Sequence, residues 1–306
     1  MTPSKMTLGT VQLGLDYGIT NREGKPSREK SFAILSAAWE NGIRSLDTAF
    51  LYGDSETIIG EYFSAFPHAR NHFSVTTKFK LGQVETNKVQ DTVRRSLETS
   101  LERLGLDRLD TLLMHDAREY MVHGTTLDRV FEDLLREKTI ARAGASAYRY
   151  EEIEPMLANP LYGDFQLPMS VMDQRIFGNA SRIRALSGKR IHVRSIYLQG
   201  LFFMDPGRLE GNLRQAAPYL EIIRETARGL GMPVSEFAIR YMSHKPFIHS
   251  LVIGCDNPDQ VRENAAFMSG LPLEGEGVRH MERKLKDVPE WLFYPMLWDP
   301  QQKNVR

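Results

Sequence analysis

Eight times along this chain a short apolar run suited to a strand is followed by a run with helical spacing, and that alternation limits the fold more than any other feature. The first strand lies around Thr7 to Thr10, and a glycine-rich loop, "QLGLDYGITNREGKPS", leads to a helix that begins near Ser27 and ends at Gly42. "IRSLDTA" and a helix stopped by Pro67 follow, then "HFSVTTKF" and a long helix from Thr86 to Leu104. In that helix Val89, Val93, Leu97, Leu101 and Leu104 recur every three or four residues, and Gly105 ends the run. "LDTLLMH", "ARAGAS", "GDFQLPMS" and "RIHVRSI" are the next strands, with helices around Leu127–Glu137, Tyr150–Leu157 and Ala180–Ser187 between them. A helical stretch from Asn212 through His244, divided by Gly231 and Pro233, leads to the last strand, "SLVIG", whose helix starts near Pro258. The pattern predicts an α/β fold, a closed parallel (β/α)8 TIM barrel rather than an open sheet. Residues 1–306 form one domain in this reading, with the tail from about residue 270 packed on the barrel.

In such a barrel the C-terminal ends of the strands converge on one face, so residues distant in sequence share a site there. Four residues with related chemistry fall at those ends: Asp47 and Tyr52 after the second strand, Lys78 after the third and His115 after the fourth. Each alone has an ordinary structural reading, as a turn cap, a packing residue, a solvated strand end or a hydrogen-bonded core histidine. Together they suit proton delivery to a carbonyl oxygen. A free tyrosine has a pKa of ~10, and a lysine ammonium beside the phenol would pull it down. An aspartate would hold that lysine charged, and a histidine could orient the carbonyl. Asp54 reads as the N-cap of the next helix, ahead of Ile58, Ile59, Tyr62 and Phe63.

Composition narrows the partner. The formal net charge is +0, and no basic stretch with interleaved aromatics points to nucleic acid or an anionic membrane. A small molecule is the expected partner. The one cysteine, Cys255, excludes an internal disulfide and any multi-cysteine metal site. The histidines lack metal-ligand spacing, so no metal is expected. The start, "MTPSKMTLGT", has no long apolar core, and no run approaches the ~20 apolar residues of a membrane helix, so a cytoplasmic protein is expected.

Residues Gly254 to Asn264 follow the last strand and open a helix, where backbone N–H groups and the helix dipole suit a phosphate; a plain turn is the alternative. Several stretches resemble the aldo-keto reductase family. "DTAFLYGDSE" is similar to its Asp-Thr-Ala-x-x-Tyr-Gly signature, "SLERLGLDRLDTLLMH" to its long helix and histidine strand, and "GASAY" to its next strand end. "FQLPMSVMDQR", "SIYLQGLFF" and "VIGCDNPDQVREN" are similar to its later cofactor segments. The resemblance implies Tyr52 as general acid, supported by Lys78, Asp47 and His115, and hydride transfer between NADPH or NADH and a small carbonyl compound. It implies nicotinamide contacts from Ser146 and Gln166, a pyrophosphate cover from Ser195, Gln199 and Gly200, and adenosine contacts from Gly254, Asp256, Gln260 and Asn264. Thr10 belongs with the cofactor contacts. Arg194 stands where many members stack an aromatic under the nicotinamide, and Ala147 where many carry an asparagine.

The order Gly254, Cys255, Asp256 before Arg262 leans toward tolerance of NADH, because an acid repels a 2'-phosphate and accepts bonds from ribose hydroxyls; Arg262 or Lys245 could swing in. The opening "LGTVQLGLDYG" suggests sugar-derived carbonyls by likeness alone. Tyr17, with Asp16 beside it, is a candidate substrate contact, since βα loops carry specificity in barrels. Trp291, Phe293, Tyr294 and Trp298 are expected to hold the tail to the barrel rather than overhang the pocket, and Met114, Met169 and Met172 to fill core. Two other classes remain open at this level. One is a sensor or partner subunit of the same fold that holds the nucleotide with little turnover. The other is an unrelated phosphate-binding barrel in which Lys78 could be a Schiff-base nucleophile.

Overall fold

The computed structural model describes residues 4–19, 21 and 24–299. Eight parallel strands close in sequence order: β1 (Met6–Gly9), β2 (Ser45–Asp47), β3 (Ser74–Phe79), β4 (Leu109–Met114), β5 (Ile140–Ser146), β6 (Tyr162–Pro168), β7 (Arg190–Arg194) and β8 (Ile248–Gly254). β8 pairs back onto β1 with Gly254 beside Gly9, so the expected (β/α)8 barrel is the fold. The core lies between strands and helices. On the helix Val89–Leu104 the residues Val89, Val93, Leu97 and Leu104 are buried, each such side chain contributing about 1.5–3 kcal/mol relative to exposure, and Gly105 ends it at φ 63°. Part of the barrel interior is polar: Thr7 donates to Ser250 at 3.1 Å, His192 Nδ1 lies 2.8 Å from Ser250 Oγ, and His192 Nε2 lies 2.9 Å from Asp164.

Two local expectations are corrected, the capping role of the Asp54 side chain and the start of the helix near Leu127. Asp54 is the N-cap residue of the helix Ser55–Ala65 as expected, but its carboxylate pairs with Lys25 and caps no backbone N–H. Pro67 stops that helix as expected: Phe66, the residue before it, leaves the helical region and is the C-cap, and Pro67 opens a separate short helix, Pro67–Arg70, at the position where a missing N–H is harmless. The helix expected near Leu127 starts at Arg118. Its first turns carry exposed Met121 and Val122, so the buried run Leu127, Val130, Phe131 and Leu134 begins late and hides the true start. At the other end of the chain Leu292, Phe293, Tyr294 and Trp298 are buried, and Trp298 Nε1 donates to the Leu292 carbonyl at 3.1 Å. Met114, Met169 and Met172 lie in the core.

Candidate active site

The segment after β2 is clamped on both sides. Thr48 N–H donates to the Thr76 carbonyl at 2.8 Å and Phe50 N–H to the Lys78 carbonyl at 3.0 Å, tying it to β3. On its other flank the loop after β1 lies against the Tyr52 turn so closely that a Cβ on Gly14 would sit 1.7 Å from the Tyr52 carbonyl oxygen. Only glycine allows that approach. Behind the turn Glu56, fully buried, accepts from Thr77 Oγ1 at 2.6 Å and from Arg103 at 3.3 Å. Thr77 therefore points outward from β3, and the alternation of a strand sends Lys78 inward.

Inside the barrel Lys78 Nζ donates to Asp47 Oδ1 at 2.7 Å and to the Thr48 carbonyl at 2.8 Å. The second Asp47 oxygen accepts from Gln166 Nε2 at 2.7 Å. The ammonium lies 5.1 Å from the centre of the Tyr52 ring, a cation over the face of the phenol. His115 meets the same ring edge-on, centroids 5.7 Å apart.

The lowering of the Tyr52 pKa expected from Lys78 is corrected: burial raises it well above the ordinary tyrosine value, the Asp47 carboxylate adds to the rise, and the opposing charge is that of Arg194. The phenol is therefore protonated at neutral pH. Burial likewise lowers the Lys78 pKa, with Asp47 working against that fall. His115 is pushed down to about 3, first by burial and then by the Lys78 and Arg194 charges, so its ring is neutral; its Nδ1 is buried with no hydrogen-bond partner among the described residues.

Asp47, Tyr52 and His115 line a cavity of about 520 Å³ together with Thr10, Tyr17, Ser146, Gln166, Arg194, Ser195, Gln199, Gly200, Gly254, Asp256, Gln260 and Asn264. Every residue expected at the site is thus in its wall except Lys78, whose side chain is fully buried against Asp47. The environments differ in detail. Thr10 is fully buried, and its hydroxyl bonds the Asp47 carbonyl at 2.9 Å. Gln260 Oε1 accepts from Asp256 N–H at 2.7 Å, while Asn257 caps the helix Pro258–Phe267 by accepting from Gln260 N–H. Ser195, Leu198 and Gln199 have φ of 63°, 47° and 55°, a cluster of left-handed backbone that costs about 1–3 kcal/mol per residue and recurs at functional sites. That loop is clasped from above: Ile19 N–H donates to the Gln199 carbonyl at 3.2 Å, and Gln199 Nε2 to Tyr17 Oη at 3.2 Å. Arg262 pairs with Asp259 at 2.6 Å and Lys245 with Glu282 at 3.3 Å, so each is engaged by a carboxylate.

Sequence reasoning missed Gln12, Tyr148, Tyr197, Phe203, Ser235 and Glu263, which also line the cavity. Tyr148 and Phe203 lay inside the quoted motifs, but their contacts are tertiary: Tyr148 stacks under the Arg194 guanidinium, whose carbon is 4.4 Å from the ring centre, and Phe203 lies 4.9 Å from the Tyr197 ring. Among the described residues no group of three or more His, Cys, Asp or Glu could hold a metal, and no helix is long and apolar enough to cross a membrane.

A closed (β/α)8 barrel with a titratable cluster and a cavity at the C-terminal strand ends has the architecture of barrel enzymes, which carry their sites on that face. The chain belongs to the aldo/keto reductase family, whose sequence profile matches residues 5–286. It is 26% identical over 310 residues to a D-threo-aldose 1-dehydrogenase of Pseudomonas sp, covering 87% of this chain and 92% of that one. It is 24% identical to the NADH-specific methylglyoxal reductase of Escherichia coli strain K12, covering 88% and 91%. The holo form of an aldo-keto reductase of Bacillus halodurans superposes with a TM-score of 0.74 at 23% identity, over 92% of each chain.

Proposed function

We propose that this chain reduces a small carbonyl compound with hydride from NADH or NADPH, and that Tyr52 gives the proton to the carbonyl oxygen. The observation that carries the reading is the single cavity that Tyr52, Asp47 and His115 share with every residue expected to contact the dinucleotide. Two features of the wall fit that group. A Cβ on Gly254 would fall 2.0 Å from Gln12 Nε2, so the bare backbone at the end of β8 lets the Gln12 amide lie directly against it in the cavity wall. Gln12 Oε1 is buried with no hydrogen-bond partner among the described residues, an acceptor suited to a ribose hydroxyl.

Reduced nicotinamide, when bound, supplies the hydride. Tyr52 holds its proton at neutral pH and releases it as charge grows on the carbonyl oxygen, because an alkoxide is a far stronger base than a phenolate. Lys78, held by Asp47, keeps its charge over the face of the phenol. Neutral His115 can hydrogen-bond the substrate oxygen without adding charge. Asp47 holds the Gln166 amide nitrogen and so leaves its oxygen for an amide donor such as the nicotinamide carboxamide.

Titration with NADH and NADPH, followed by cofactor fluorescence, tests the reading, with methylglyoxal and aldoses as first substrates because relatives are named for them. Binding and steady turnover are expected. Binding with no steady turnover would favour a nucleotide-holding subunit, and no binding of either dinucleotide would remove the hydride mechanism.

A further inference from the structure

The guanidinium of Arg194, at the end of β7, is the one lysine or arginine among the described residues that line the cavity. It is half-buried, yet its described polar contacts are a bond to the Ala147 carbonyl at 3.1 Å and a marginal one to Ser195 Oγ at 3.5 Å, with the face of Tyr148 beneath it. No described carboxylate is within ion-pairing distance, whereas Lys78, the other cation of this region, is neutralised by Asp47 at 2.7 Å. His115 is neutral, so the reacting end of the cavity carries one unbalanced positive charge. A partly desolvated cation without a counter-ion is unfavourable until an anion reaches it, and a guanidinium offers a carboxylate two parallel N–H donors.

The position says which anion. Arg194 lines the same cavity as Tyr52, Tyr17 and His115, and a short chain of hydrogen bonds, from Arg194 to the Ala147 carbonyl, from Ala147 N–H to the Gln166 carbonyl and from the Gln166 amide to Asp47, ties it to the end of the cavity that holds the proton donor. The capped start of the helix Pro258–Phe267 and the left-handed loop Ser195–Gly200 are separate places for the dinucleotide phosphates.

We propose that the substrate carries a carboxylate in addition to the carbonyl, an oxo acid or an aldehyde acid, and that Arg194 holds the carboxylate while Tyr52 faces the carbonyl. This rests on the carbonyl-reductase reading above. In the reaction the hydride goes from reduced nicotinamide to the carbonyl carbon and the Tyr52 proton to its oxygen. The products are a hydroxy acid and oxidised dinucleotide, and the proton on Tyr52 is restored from solvent.

The test compares benzoate with benzamide, matched in shape but not in charge, by calorimetric titration of wild type and Arg194→Gln, with and without reduced dinucleotide. Benzoate is expected to bind at least tenfold tighter than benzamide to wild type, and the ratio to fall within threefold of one in the variant. In turnover, 4-oxobutanoate should show a KM at least tenfold below that of butanal, with the gap closing in the variant through KM rather than kcat. Equal affinity for benzoate and benzamide on wild type overturns the proposal and leaves carbonyl reduction standing. So does an Arg194→Gln protein that loses dinucleotide affinity tenfold while keeping the benzoate preference, since the guanidinium would then serve the cofactor. Failure of the reductase reading is distinct: neither dinucleotide binds, and the benzoate ratio of the bare protein still decides whether the anion site exists.

Discussion

Asp47→Asn removes the charge from the buried pair while keeping the shape of the side chain. Lys78 Nζ is 2.7 Å from Asp47 Oδ1, and the two side chains are 0% and 5% exposed. That burial assigns the pair to the class in which removing one partner costs about 3–5 kcal/mol, not the exposed class worth about 0.2–1 kcal/mol. Asparagine adds a second fault. Two donors converge on the carboxylate, Lys78 on one oxygen and Gln166 on the other, and an amide would turn its own NH2 toward one of them. We expect a loss of about 3–5 kcal/mol near pH 7 in urea unfolding read by tryptophan fluorescence, with part of it regained in Asp47→Asn/Lys78→Met. The pH dependence has a defined sign. Burial already lowers the Lys78 pKa and Asp47 opposes the fall, so the variant lowers it further. Between that lowered value and the ordinary ~10.4 of the unfolded chain, the folded variant binds fewer protons than the unfolded one, so its stability rises with pH through this window and the deficit is greatest below it. A loss under about 1 kcal/mol, or a double variant no more stable than the single one, would refute the claim that Lys78 is charged and depends on Asp47.

Tyr52→Phe should lower kcat by about 10²–10⁴-fold with the dinucleotide Kd preserved; a variant that kept its kcat would show that another group delivers the proton. His115 has a folded value of about 3, below the ~6.5 of the unfolded chain, so it binds fewer protons when folded and the stability it confers is lost as pH falls from 6.5 toward 3. His115→Gln should therefore flatten the acid side of the stability profile between pH 4 and 6.5, and an unchanged slope in urea midpoints would contradict a buried neutral ring. Gly14→Ala, far from Tyr52 in sequence, should destabilise by at least about 2 kcal/mol and lower activity per folded molecule, because its methyl meets the Tyr52 carbonyl at 1.7 Å; wild-type kinetics and stability together would mean that the two loops are not in contact.

Much of this site was legible before folding because its residues sit at strand ends, and a parallel barrel delivers all strand ends to one face. Asp47, Tyr52, Lys78 and His115 needed only the order of elements to be brought together. Where the local signal was weak or ambiguous, the reading went astray. Asp54 looks like a cap, but Lys25, 29 positions away, takes its carboxylate. The helix from Arg118 begins with exposed apolar residues, so its periodicity starts a full two turns late.

The sequence by itself determined the closed barrel, the membership of the constellation and the loops that face the cavity, since strand and helix periodicity and glycine-marked ends are local properties of the chain. Tertiary structure alone decided how those residues act on one another. It set Lys78 over the Tyr52 ring with its charge committed to Asp47, made His115 neutral, and seated Arg194 on Tyr148 with no acid partner among the described residues. It also revealed Gln12 against Gly254 and Gly14 against the Tyr52 turn. Burial and charge proximity depend on distances across the barrel, and those exist only once all eight strands have closed.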